Sequence, residues 1–316
     1  MEKILTIIIP SYNIERYIDS IMPGYLYEPL FKKVNLLFID DGAKDNTVKL
    51  LSEYEKKFPD YISIIRKENG GHGSVINTGV GLVKTKYFKV VDGDDWVDSE
   101  ELLKLCEYLE QSDSDLVVSD FIYEFSNRSS ISYGFDETKS FKYKIHLHNA
   151  TFLTELWTKN KIRVREKVFY EDAQYVLLPL EFVKDITYFK ACIYHYRCDN
   201  PNQSVNALQQ LKHVDDYILV AEDLCNYIDR LSNSKNVKQE VKQYIFDNVV
   251  RIVFGAYEIC TSKGLAFSEA RKLCKNLDSK FKPHKKIYLS ILKRYKKLHI
   301  LKFLNYLGLR IYLKNH

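Results

Sequence analysis

The residues able to do chemistry in this chain gather in short polar stretches. The sharpest is Asp92-Gly93-Asp94-Asp95-Trp96, which holds three carboxylates within four positions. Carboxylates this close repel one another unless a cation or hydrogen-bond donors neutralise them. A hard divalent ion, Mn2+ or Mg2+, does so while keeping sites for water and phosphate oxygens. Read alone, the same string is also a helix-capping turn. Asp40-Asp41-Gly42 has the same two readings, a turn or a carboxylate that accepts from a base N–H or a ribose hydroxyl. In Lys67-Glu68-Asn69-Gly70-Gly71-His72-Gly73-Ser74, the glycines permit close backbone approach just before an expected helix start at Ser74. That is a favourable place for a diphosphate. Pro10-Ser11-Tyr12-Asn13 completes the set.

Something must bring these stretches together, and the hydrophobic pattern says what. Up to about residue 122, short β-branched or aromatic runs at 5–10, 35–40, 61–66, 87–92 and 116–121 alternate with helical spacing at 17–27, 47–58, 74–84 and 99–111. Alternation of this kind predicts an α/β fold, a mostly parallel sheet with helices on both faces. Ligands of such sheets bind beyond the carboxyl ends of the strands. The polar stretches end four of those strands and so converge on one crevice. Residues 122–147 suggest a hairpin or loop insertion. A helix over 172–183 and a strand over 186–196 follow, then a polar turn at 199–204. Beyond 207 the pattern is helical, near 207–231, 237–262, 267–276 and 285–313. At about 150 residues per domain, 316 residues suggest two domains, 1–206 and a helical region 207–316.

Composition narrows the class. The six cysteines form no C-x-x-C pair and read as reduced structural thiols. The apolar run at 4–10 is too short for a secretory signal, and no window approaches the roughly 20 apolar residues that span a bilayer. A cytoplasmic protein is expected, or one held on the inner face of a membrane. The net charge of +5 hides an asymmetry: residues 279–316 hold eleven Lys or Arg and no acid, leaving 36 bases against 42 acids before them. Ile287, Tyr288, Ile291, Tyr295 and Leu298 recur at helical spacing among those lysines, a pattern that suits an interfacial helix on anionic lipid. Packing of that face on the protein is the rival reading. No nucleic-acid-binding module accompanies the charge. A Walker A loop and a G-x-G-x-x-G after the first strand are both missing.

The strings at 7–13, 39–47, 67–79 and 90–98, in this order and strand context, resemble the nucleotide-sugar half of the family 2 glycosyltransferases of the GT-A fold. Phe169-Tyr170-Glu171-Asp172 resembles that family's later Glu-Asp, and Tyr194-His195-Tyr196-Arg197 with Ser204 its last active-site segment, so the resemblance spans about 3–206. It implies inverting transfer of a sugar from a nucleotide diphosphate donor, most simply a UDP-sugar, to a hydroxyl of a glycan, lipid-linked or protein-linked acceptor. On that footing Tyr12 and Asp41 meet the base, Asp92 the ribose side, and Asp94 a Mn2+ or Mg2+ ion bridging the diphosphate. Asp172 is the general base, with Glu171 as its understudy. Pro10, Asn69, Gly70, His72, Asn77, Trp96 and Arg197 join the donor site. Relatives often read Ala-Arg-Asn where this chain has Val75-Ile76-Asn77, which leaves His72 or Arg197 to supply the missing charge. Trp96 stacks on a sugar face or acts as a hydrophobic lid. His195 is a further metal ligand or, as for most His between two tyrosines, packed. A sugar nucleotidyltransferase and a non-catalytic nucleotide-sugar-binding protein are the alternatives.

Overall fold

Leu5, Ile7, Ile8 and Ile9 have no exposed surface, so the first strand is buried on both faces, as the centre of a parallel sheet requires. The computed structural model describes residues 2–198, 207–232, 234, 236–261, 265–303 and 306. They fall into two units, Met1–Asn200 and Pro201–His316. The strands are β1 (Leu5–Pro10), β2 (Val34–Asp40), β3 (Ile62–Arg66), β4 (Tyr87–Val90), β5 (Trp96–Val97), β6 (Leu116–Phe125), β7 (Arg128–Ser132), β8 (Ala150–Leu153) and β9 (Ile186–Arg197). Their order is β3-β2-β1-β4-β8-β6-β9-β5, with β7 beside β6. The expected parallel arrangement holds for β3-β2-β1-β4 and for β6 with β9. Antiparallel pairing of β4–β8, β8–β6, β6–β7 and β9–β5 makes the whole sheet mixed. The hairpin expected after residue 122 is β6–β7.

The helices of this unit are α1 (Ile18–Ile21), α2 (Thr47–Lys57), α3 (His72–Leu82), α4 (Ser99–Gln111), α5 (Thr154–Lys159) and α6 (Asp172–Leu177). Ile7, Ile9, Leu36 and Phe38 share a core with Leu51 of α2 and Leu102, Leu105 and Leu109 of α4. Each such buried side chain contributes about 1.5–3 kcal/mol. Ile8 points the other way, onto α3, where a Cβ on Gly79 would lie 2.7 Å from its side chain. Helices therefore cover both faces. The helix expected over 17–27 is cut to one turn flanked by 3-10 turns, because Pro23 and Pro29 lack the N–H that continues a helix. α4 starts at its expected residue, where the Asp98 carboxylate accepts from Glu101 N at 2.9 Å.

The second unit contains α7 (Ala207–Lys212), α8 (Val214–Leu231), α9 (Gln239–Cys260), α10 (Phe267–Phe281), α11 (Lys285–Arg294) and α12 (Lys296–Phe303). Asp278 accepts hydrogen bonds from Tyr257, Tyr288 and Tyr306, each 2.9 Å long, and so ties α9, α10 and the tail together. Ile287, Tyr288, Ile291 and Leu298 are buried, which overturns their expected role as a lipid-facing apolar stripe. Most of the tail beyond 303, the turn at 199–204 with Ser204, and the 206/207 boundary lie outside the described residues. None of the six cysteines is in a disulfide. Among the described residues, no helix is long and apolar enough to cross a membrane.

Candidate active site

The carboxyl ends of β1, β2 and β4 lie side by side, as their register requires. Tyr12 projects beyond β1 with its ring 45% exposed, and Pro10 is half-buried at the strand end. Asp41 is buried, and its carboxylate takes the Lys67 ammonium at 2.6 Å and the Gly70 and Gly71 N–H groups at 2.9 and 2.8 Å. Asn69 donates to the Asp41 carbonyl at 2.8 Å. Asp41 and Asn69 therefore shape the glycine loop. Gly71, at φ 80°, takes the N-cap of α3, which is why that helix begins at His72 and not at Ser74. A Cβ on Gly70 would fall 2.5 Å from Ser74 Oγ, so the loop depends on the bare backbone there.

In the acidic turn, Gly93 sits against the Pro10 carbonyl, 2.3 Å from where a Cβ would stand. Asp95 points inward, accepting from Tyr194 OH at 2.5 Å and Arg197 N at 2.7 Å. Burial first, then the neighbouring charges of Asp94 and Asp92, push its carboxyl well above the ordinary range. Asp94 is half-exposed at the cleft, and its carbonyl accepts from Arg197 Nε at 2.8 Å. The Arg197 guanidinium lies 4.8 Å from the Trp96 ring centre and 5.3 Å from that of Tyr17. Trp96 in turn stacks on His195, whose Nδ1 is 2.8 Å from Glu124. Trp96 and Arg197 are thus each engaged with protein partners. His195 is packed, as its tyrosine neighbours suggested.

His148 was not foreseen. It lies in the 3-10 turn Leu147–Asn149 that leads into β8, and its ligand atom comes within 4.8 Å of those of Asp92 and Asp95. Burial keeps the ring neutral, its pKa down at about 4 despite the pull of Asp92. Its Nδ1 is buried without a hydrogen-bond partner. Behind it the fully buried Lys89 donates to the His148 carbonyl at 2.6 Å, and burial brings the Lys89 pKa down to about 7. A neutral imidazole with an open lone pair beside two carboxylates fits a divalent cation, and the nitrogen donor suits Mn2+ better than Mg2+. The expected metal residue, Asp94, stands outside this trio.

The last part of the site comes from the segment before α6. Asn77 pins that segment: its amide nitrogen donates to Val164 O and Glu166 Oε1, both at 2.9 Å, and its oxygen accepts from Val164 N at 3.1 Å. His72 holds Glu171 and Asp92 at 2.6 and 2.9 Å. Burial raises the Asp92 carboxyl, but the His72 hydrogen bond and charge outweigh it and bring its pKa below the usual range. Asp172 opens α6 with its side chain exposed. Crowding by the cleft walls, then the Glu171 charge, push its pKa up to about 6. A Cβ on Gly73 would fall 2.1 Å from the Arg165 carbonyl. Gly73→Ala should accordingly lift the 163–172 segment off α3, costing about 1–3 kcal/mol in urea unfolding together with activity. Unchanged stability and activity would show that the close approach is dispensable.

A family model described as glycosyl transferase family 2 matches residues 6–168, just over half of the chain. The uncharacterized glycosyltransferase EpsJ of Bacillus subtilis (strain 168) is 26% identical over 222 residues, 64% of this chain and 63% of EpsJ. The minor teichoic acid biosynthesis protein GgaB of the same organism is 25% identical over 219 residues, 66% of this chain and 24% of GgaB. The chain thus spans less than two thirds of the length of these curated relatives. Among solved structures, S. aureus TarS 1–349 in complex with UDP matches with a TM-score of 0.68 at 14% identity, over 99% of this chain and 90% of that one. The mannosyltransferase PcManGT from Pyrobaculum calidifontis, in complex with GDP-Man and Mn2+, matches at 0.56 and 12%, over 99% and 86%. At these identities the likeness shows the GT-A fold.

Proposed function

The chain belongs to glycosyl transferase family 2, and from that premise we propose that it transfers a sugar, with inversion, from a UDP-sugar to a hydroxyl group of a cell-surface glycan or its lipid- or protein-linked precursor. One observation carries the reading: a single imidazole bonded to both Asp92 and Glu171 puts the acidic turn and the segment bearing Asp172 on the same cleft. Asp172, exposed and with a pKa near the working range, takes the proton of the acceptor hydroxyl as the O–H bond breaks. The oxygen forms its bond to the anomeric carbon from the face opposite the diphosphate, which leaves with the bonding electron pair. Inversion follows from one displacement, and no covalent nucleophile is needed. Asp92, Asp95 and His148 would hold Mn2+, with the half-exposed Asp94 of the same turn as a further ligand on the cleft side. The ion would neutralise the charge that develops on the leaving group. The loop at 70–73 and the start of α3 offer backbone N–H groups to the same phosphates. Tyr12 offers its exposed ring to the base. UDP is favoured over GDP because TarS, the higher-scoring of the two structural matches above, holds UDP.

The direct test is a panel of UDP-glucose, UDP-GlcNAc, UDP-galactose and GDP-mannose with Mn2+, read as release of the nucleoside diphosphate. Turnover of a UDP-sugar is expected, and binding without turnover across the panel would favour a nucleotide-sugar-binding protein instead. Since the base must be ionised, kcat/KM should fall tenfold per pH unit below about 6. A flat profile down to pH 5 would remove Asp172 from that role.

A peripheral position on the inner membrane face is part of the proposal. Lys285, Leu289 and Lys293 on α11, and Lys296 and Ile300 on α12, are exposed at four-residue spacing, a basic stripe with two apolar members. Each lipid-proximal base contributes about 1 kcal/mol. Replacing Lys285, Lys293 and Lys296 with Glu should abolish sedimentation with phosphatidylglycerol vesicles at low salt and spare UDP binding. Unchanged sedimentation would end the membrane reading. Truncation is the poorer probe, because it removes Tyr288 and Tyr306 from Asp278.

A further inference from the structure

Glu171 and Asp172 are adjacent carboxylates at one helix start, and a single side chain makes them unequal. His72 Nδ1 lies 2.6 Å from Glu171 Oε1 and Nε2 lies 2.9 Å from Asp92 Oδ1. One ring thus reaches the acidic turn with one nitrogen and the segment before α6 with the other. The Glu171 side chain is 5% exposed in this grip, whereas that of Asp172 is open to solvent.

We infer that His72 is a positioning residue that chooses the base: by holding Glu171 on one nitrogen and Asp92 on the other, it withholds Glu171 from the acceptor and leaves the proton to Asp172. This rests on the proposed transfer and assigns within it a task that neither carboxylate performs. Without His72, Glu171 becomes an uncompensated, nearly buried carboxylate, which relaxes toward water in the cleft. There it can accept the acceptor's proton in place of Asp172. The O–H bond then breaks onto Glu171, and the diphosphate leaves with its electron pair as before.

The test is a double-mutant cycle on the full chain, assayed by UDP release from whichever panel donor turns over. In the parent, Asp172→Asn should cost at least about 100-fold in kcat, and in the His72→Ala background less than about tenfold. Adding Glu171→Gln to that double variant should remove the remaining rate. The same factor in both backgrounds overturns the inference and leaves the transferase reading standing. An Asp172→Asn chain with full activity in the parent overturns the inference together with the role given to Asp172, and still leaves the transferase reading standing. His72→Gln covers the case in which alanine prevents folding: one amide can hold one carboxylate but not two, so dependence on Asp172 should fall between the other backgrounds. Equal dependence in the parent and in His72→Gln counts against the inference just as firmly. UDP affinity by calorimetry should stay within about threefold between each His72 background and the same background carrying Asp172→Asn, which separates the choice of base from general damage.

Discussion

Asp172→Asn is expected to lower kcat by roughly two to four powers of ten, the usual yield of a general base, with UDP affinity nearly unchanged. The asymmetry follows from where the side chain stands. Asp172 opens α6 with its carboxylate exposed, whereas the diphosphate candidates are the loop before α3 and the acidic turn after β4. Donor binding does not deprotonate the acceptor, so a base variant leaves it alone. Asparagine keeps the shape and a hydrogen-bonding oxygen and removes only the proton affinity, so a fold defect does not imitate the result. If Glu171→Gln is the dead variant while Asp172→Asn works, the pair is assigned the wrong way round.

The next largest effect concerns the cation. Excess EDTA should lower turnover at least about 100-fold, and Mn2+ should restore it more fully than Mg2+, as an imidazole ligand favours. Asp94→Asn should show the same loss, unrepaired by Mn2+, if its carboxylate joins the ion once the diphosphate is bound. His148→Gln separates the two candidate ligand sets. If the trio of Asp92, Asp95 and His148 holds the ion, Mn2+ binding in the absence of nucleotide disappears in this variant. If the ion enters only with the diphosphate, nucleotide-free Mn2+ binding is absent from the parent too, and His148 is a packing residue. Full activity in EDTA would remove the metal from the mechanism.

The difference between what the residues foretold and what the fold does lies in range. Strands such as Leu5–Pro10 were legible because a run buried on both faces is apolar at nearly every position, here all but Thr6. The Asp98 cap was legible because it acts three residues away. The partners of Asn77, Val164 and Glu166, were not legible because they are 87 and 89 residues distant, and nothing near Asn77 marks them. The contacts of Trp96 with Arg197 and His195 follow from the pairing of β5 with β9, which no local spacing marks. His148 was invisible for the same reason: a four-residue antiparallel strand, β8, inserts between β4 and β6 and brings the preceding turn beside the acidic residues. The spacing of His146 and His148 was the one signal on offer, and it is weak without a neighbour. Side chains fixed by local spacing were therefore readable, and those fixed by sheet order were not.

One displacement assisted by Asp172 is the centre of the account, and the anomeric configuration of the released sugar reads it directly. With Mn2+ and an α-linked UDP-sugar that turns over, proton NMR in the first minutes, before mutarotation, should find the β-anomer in excess. Release of the α-anomer would mean two displacements through a covalent intermediate, and would contradict the role given to Asp172.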